Sequence, residues 1–210
     1  MDLATKRLRL RPPVEASITS EALPVIVRRQ IISSAVLAMF IFVFVELMFF
    51  AGLISSFLIA KGSIPANLWP PPDQPRFPVA QTAFNTAALL ASGLTCWLGA
   101  RSWRRGAGAG RGLLLTTIAL GALFVGLQGV EWVKLLKQGL TLFSSQAGAY
   151  FYLLVGAHGL HVIVGLGVLA WGVTRMTGGR LTTPQVTALQ ILWTFVVGLW
   201  PILYVLVYLS

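Results

Sequence analysis

Cysteine is almost absent from this chain. Cys96 stands alone inside an apolar stretch, which excludes an intrachain disulfide and any cysteine-rich zinc or iron–sulfur site, and it reads as a packing residue. Histidine is scarce too: His158 and His161 are the only two, half of a tetrahedral metal set. Acidic residues number six in 210, and charged residues of both signs make up 10% of the chain. That is too little to clothe a soluble globule when 56% of the residues are apolar and the mean hydropathy is +0.80. The first thirty residues lack a compact apolar core followed by a small-residue cleavage site, so no cleavable signal peptide is expected there.

What is abundant is long apolar runs. Five of them, at about 31–60, 80–100, 113–133, 150–172 and 186–209, reach the roughly 20 residues that a helix needs to cross a bilayer. The chain is therefore expected to be all-α, a polytopic membrane bundle of five transmembrane helices over residues 31–210, preceded by a polar arm at 1–30. Residues 61–78, with three consecutive prolines at 70–72, cannot continue a helix and read as an external loop packed by Trp69 and Phe77. The glycine-rich stretch at 106–112 reads as a turn, since no strand precedes it to make a phosphate-binding loop. Pro201 is a candidate bend in the fifth span, and Trp103, Trp132 and Trp171 fall near span ends, where indole rings anchor at headgroups.

The net charge of +10 would point to nucleic acid in a soluble protein, but here the basic residues cluster at the ends of the apolar runs. They report orientation instead. Five spans place the termini on opposite sides. With the N-terminus cytoplasmic, that side collects Lys6, Arg7, Arg9, Arg11, Arg28, Arg29, Arg101, Arg104, Arg105, Arg111, Arg175 and Arg180. The other side holds only Lys61, Arg76, Lys134 and Lys137, so the positive-inside rule sets the N-terminus in the cytoplasm and the C-terminus outside.

Polar groups inside the spans carry the functional reading. Glu46 lies at the centre of the first span, where a charged side chain costs on the order of 2.5 to 3.5 kcal/mol on insertion scales. It is either a carboxyl satisfied by a neighbouring helix or a proton-linked group. In the fourth span His158 and His161 lie one turn apart, on a stripe with Tyr150, Leu154, Gly165 and Gly172 that is expected to face protein, headgroup or a wet cleft. Val162, Val164, Leu166 and Leu169 are then left to other surroundings. The two imidazoles are expected to bond Glu131, Gln128 or a phospholipid headgroup rather than a metal, and Glu131 itself has Lys134 at i+3 as an alternative partner. A small transporter lined by Glu46 and the histidines is the competing class, but no internal repeat or second central acid supports it.

Several stretches carry a resemblance: VELMFFAG at 45–52, WPPP at 69–72, FNTAALLASGLT at 84–95, LQGVEW at 127–132 and FYLLVGAHGLHVIVG at 151–165. In that order they resemble subunit III of the haem–copper respiratory oxidases, above all of cytochrome c oxidase, in its short five-helix form. The resemblance implies a non-catalytic core subunit with no cofactor of its own. Haem and copper would sit in partner subunits, and the chain would contact catalytic subunit I, subunit II and phospholipids in a bacterial cytoplasmic membrane. It implies a proton-linked role for Glu46 and lipid or subunit contacts for His158, His161, Glu131 and Gln128. A quinol oxidase subunit III and the accessory protein of nitric oxide reductase are the related alternatives. The chain departs from the family pattern at Thr194 and Val197, where a histidine and an aspartate are usual, and at Ala100 and Arg101, where two histidines are common.

Overall fold

The computed structural model describes residues 32–65 and 79–209. The arm at 1–30, the loop at 69–78 and Ser210 lie outside the described residues. Five helices account for nearly all the rest: α1 (Ser34–Gly62), α2 (Val79–Arg104), α3 (Gly110–Lys137), α4 (Gln146–Thr177) and α5 (Thr183–Tyr208), with no strand among the described residues. Each is long and apolar enough to cross a membrane.

Most helices outrun the apolar stretches that foretell them, because polar residues at the interface continue or cap the last turns. α4 begins four residues early, where Ser145 Oγ accepts the Gly148 amide at 2.9 Å as an N-cap. Thr182 and Gln185 form a reciprocal capping box at the start of α5. Lys134 and Lys137 fall inside the last turn of α3, where cations suit the carbonyl end of a helix. The arginine-bearing turns close with Gly106 and Gly179 at φ +70° and +66°, a region that glycine enters without steric cost. α5 runs on through Pro201 to Tyr208.

α5 is the central element. It packs against α1, α2 and α4, while α2 lies most extensively along α3 and α3 along α4. Half of the most apolar window of α5 is buried, against 6% for α1, so α1 turns only one face to the bundle and the rest outward. Trp193 and Trp200 of α5 are fully buried. The inward face of α4 is Leu154, His158, Val162, Gly165, Leu169 and Gly172, recurring at four and three residues. This corrects the stripe expected from polarity: Val162 and Leu169 belong to the core, and His161 and Tyr150 sit at its edge, partly exposed. Helical periodicity, followed strictly from Leu154, selects the apolar pair, whereas following the polar residues rotates the stripe toward His161.

Candidate functional site

Glu46 stands about 3 Å along the axis from the middle of α1, well inside any hydrocarbon layer. Its Oε2 lies 3.0 Å from His161 Nε2 across the seam between α1 and α4. The other ring nitrogen, Nδ1, is 2.7 Å from the Ala157 carbonyl oxygen. A carbonyl can only accept, so Nδ1 carries its hydrogen, and one proton is left to be shared between Nε2 and the carboxyl. The pair is then either a neutral acid bonded to neutral imidazole or a carboxylate bonded to imidazolium. Phe50 packs edge-on against the imidazole at 5.2 Å. Both side chains keep 18–19% of their surface exposed, so the pair lies at the rim of the bundle.

His158 faces elsewhere. Three residues of helix turn it about 60° around α4 from His161. It is fully buried, stacked on Trp200 with centroids 5.1 Å apart and edge-on to Phe124 at 6.2 Å. Neither of its nitrogens has a hydrogen-bond partner among the described residues.

Gln128 and Glu131, one turn apart on α3, are committed to other helices. Asn85 Nδ2 donates to Gln128 Oε1 at 3.1 Å, and Gln128 Nε2 donates to Tyr208 Oη at 2.9 Å. Thr82 Oγ1 donates to Glu131 Oε2 at 2.9 Å, with the carboxyl 1% exposed. Lys134 is exposed, and Glu131 turns inward to Thr82. The bonds expected between the histidines and Glu131 or Gln128 are thus replaced: His161 takes Glu46, and α3 takes α2 and α5.

The sequence reading missed the polar face of α2. Besides Thr82 and Asn85, Thr86 Oγ1 accepts from Trp200 Nε1 at 2.8 Å and Ser92 Oγ accepts from Trp193 Nε1 at 3.2 Å. The signal was present, since small polar residues at 82, 85, 86 and 92 recur on one helical face, the pattern by which membrane helices bind one another. The departures from the family pattern also find places. Thr194 is exposed, Val197 packs where a Cβ on Gly93 would meet it at 3.0 Å, Ala100 is buried, and the Arg101 guanidinium lies 5.1 Å over the Trp97 ring. Among the described residues, His, Cys, Asp and Glu side chains do not gather in groups of three or more.

A five-helix apolar bundle, with one carboxyl–imidazole pair near mid-helix and polar side chains of α2, α3 and α5 bonded across their seams, defines a multi-pass integral membrane protein. Residues 23–210 match the family model of cytochrome c oxidase subunit III. The chain is 36% identical over 168 residues to the probable cytochrome c oxidase subunit 3 of Nocardia farcinica (strain IFM 10152), covering 78% of this chain and 81% of the relative. It is also 36% identical over 167 residues to the protein of the same name from Mycobacterium leprae (strain TN), with the same coverage. To the quinol oxidase subunit 3 of Bacillus subtilis (strain 168) it is 29% identical over 179 residues, 83% of this chain and 86% of that one. The chain belongs to the cytochrome c oxidase subunit III family and is a subunit III of a haem–copper oxidase.

Proposed function

We propose that this subunit holds no redox centre and supports proton uptake by a catalytic partner through the Glu46–His161 pair. Haem and copper reside in subunits I and II, against which the chain packs together with phospholipids in the bacterial cytoplasmic membrane. Its N-terminus faces the cytoplasm and its C-terminus the periplasm or outside. The observation that carries the reading is the 3.0 Å contact between Glu46 and His161 at mid-depth. With Nδ1 fixed by Ala157, the shared proton can move between carboxyl and imidazole without any change of backbone. Gln128 and Glu131 serve the fold around that pair.

Glu46→Gln tests this, because an amide keeps the shape and a hydrogen bond to His161 while removing the ionisable group. Assembly and haem content should match the parent, and initial oxygen consumption per haem should fall by less than about twofold. Inactivation during sustained turnover should come sooner, and more so at high pH, where protons are scarce. Inactivation equal to the parent at two pH values would falsify the proton-linked role; a lower yield of complex with parent-like turnover would assign Glu46 to packing.

The relative named quinol oxidase subunit 3 supports a second reading, in which the complex takes electrons from a quinol. Oxidation of reduced cytochrome c or of quinol by the purified complex separates the two.

A further inference from the structure

A groove of about 320 Å³ lies between α3 and α4, on the side of α4 away from the Glu46–His161 pair. Its walls are almost wholly apolar. At its mouth Leu160 and Ile163 are exposed, and at its inner end stand the fully buried His158 and Trp200. Two features set it apart from ordinary helix packing. First, three buried nitrogens in its lining side chains have no hydrogen-bond partner among the described residues: Nδ1 and Nε2 of His158 and Nε1 of Trp132. Such groups cost about 1–3 kcal/mol each when left unmatched, so a ligand oxygen brought against any of them is stabilised there. Second, the mouth is widened by glycines that the packing does not require. A Cβ on Gly129 or Gly159 would meet nothing within 4 Å.

Depth narrows the ligand. His158 lies about 5 Å along the axis from the middle of α4, whereas the hydrocarbon layer extends about 15 Å to either side of its centre. Phosphate and ester groups stay at the interface, so a phospholipid offers His158 only its acyl chain. The polar atom that reaches it must be uncharged and carried within hydrocarbon. Phe124 and Trp200 flank the imidazole and favour a planar ring beside it. We propose that the groove binds the ring of a lipid-soluble quinone or quinol, with its carbonyl or hydroxyl oxygens toward His158 and Trp132 and its apolar tail leaving past Leu160 and Ile163. The proposal is one of binding alone. It does not depend on the role given to Glu46, whose test is turnover rather than occupancy.

The experiment uses the intact oxidase complex in nanodiscs of dioleoylphosphatidylglycerol and, as probe, a decylbenzoquinone bearing a photoreactive azido group. Labelled peptides of this chain are mapped by mass spectrometry. Labelling should concentrate at 124–132 and 155–163, and excess unmodified decylbenzoquinone should suppress it while added phospholipid does not. Gly159→Leu fills the mouth into open space and should lower labelling about tenfold or more, with haem content and subunit ratio unchanged. Gly129→Leu blocks the same mouth from α3 should the first variant fail to assemble. His158→Phe keeps a ring there and should also weaken labelling. Label confined to other parts of the chain, label undiminished in the filled variants, or equal competition by phospholipid would overturn the proposal, the last showing that the groove holds an acyl chain.

Discussion

Thr82, Asn85, Thr86 and Ser92 are ordinary residues whose importance comes from where they bond. Each meets a side chain from α3 or α5 inside an apolar bundle, where no water stands by to replace a lost partner. Thr82→Val removes the donor to Glu131 and should destabilise the chain by about 1–3 kcal/mol, whereas Glu131→Gln keeps an oxygen for Thr82 and should cost less. Trp200→Phe should lose the bond to Thr86, on the order of 0.6–1.7 kcal/mol in a membrane interior, plus some packing. Space decides as sharply as hydrogen bonding. A Cβ on Gly121 would lie 2.8 Å from both Leu166 and the Trp193 ring, while one on Gly126 would meet nothing within 4 Å. Gly121→Ala should therefore cost about 1–3 kcal/mol and Gly126→Ala close to nothing. Thermal unfolding of the detergent-solubilised protein ranks all five variants, and a Gly126→Ala penalty equal to that of Gly121→Ala would contradict the packing described.

At the scale of the helix, α1 and α5 are opposites built from similarly apolar sequence. α5 is enclosed by three neighbours; α1 exposes Phe40, Ile41, Phe44, Val45 and Met48, and its side-chain bonds to the bundle run through Glu46–His161 and Ser56–Tyr150, the latter 2.7 Å. Composition could not tell them apart, because a greasy helix suits lipid and protein equally. The orientation proposed above rests on the charged turns instead. If Arg105 faces the cytoplasm, Arg105→Cys in a Cys96→Ala background should react with a membrane-impermeant maleimide only in inside-out vesicles. Labelling in right-side-out cells would reverse the topology.

For the molecule as a whole, two imidazoles close in sequence serve different surroundings, one at the seam with α1 and one inside a ring of aromatics. Replacing both by Leu should leave haem and copper per catalytic subunit unchanged while loosening retention of lipid or of neighbouring subunits. Metal analysis and subunit ratio of the purified complex measure this. A stoichiometric metal lost from the isolated chain would show that the imidazoles bind metal. In the same preparations the chain should travel with a larger haem-bearing membrane protein, and a chain that is stable and active alone would point to a transporter.

The all-α class, the five spans and the family were legible in the sequence, because apolar run length and basic turns act locally and the residues at 45–52, 84–95, 127–132 and 151–165 stand in linear order. Glu46, His158, His161, Gln128 and Glu131 could be singled out as polar residues in apolar spans, whatever their roles. Their partners could not. Which side of α4 faces α1 depends on how five helices share one core, so the pairing of Glu46 with His161, 115 residues apart, was decided only by tertiary packing. The same packing put Val162 and Leu169 inside, sent Glu131 to Thr82 rather than to Lys134, and opened the groove between α3 and α4. Periodicity fixes which residues share a helical face, but only the neighbouring helices settle what that face meets.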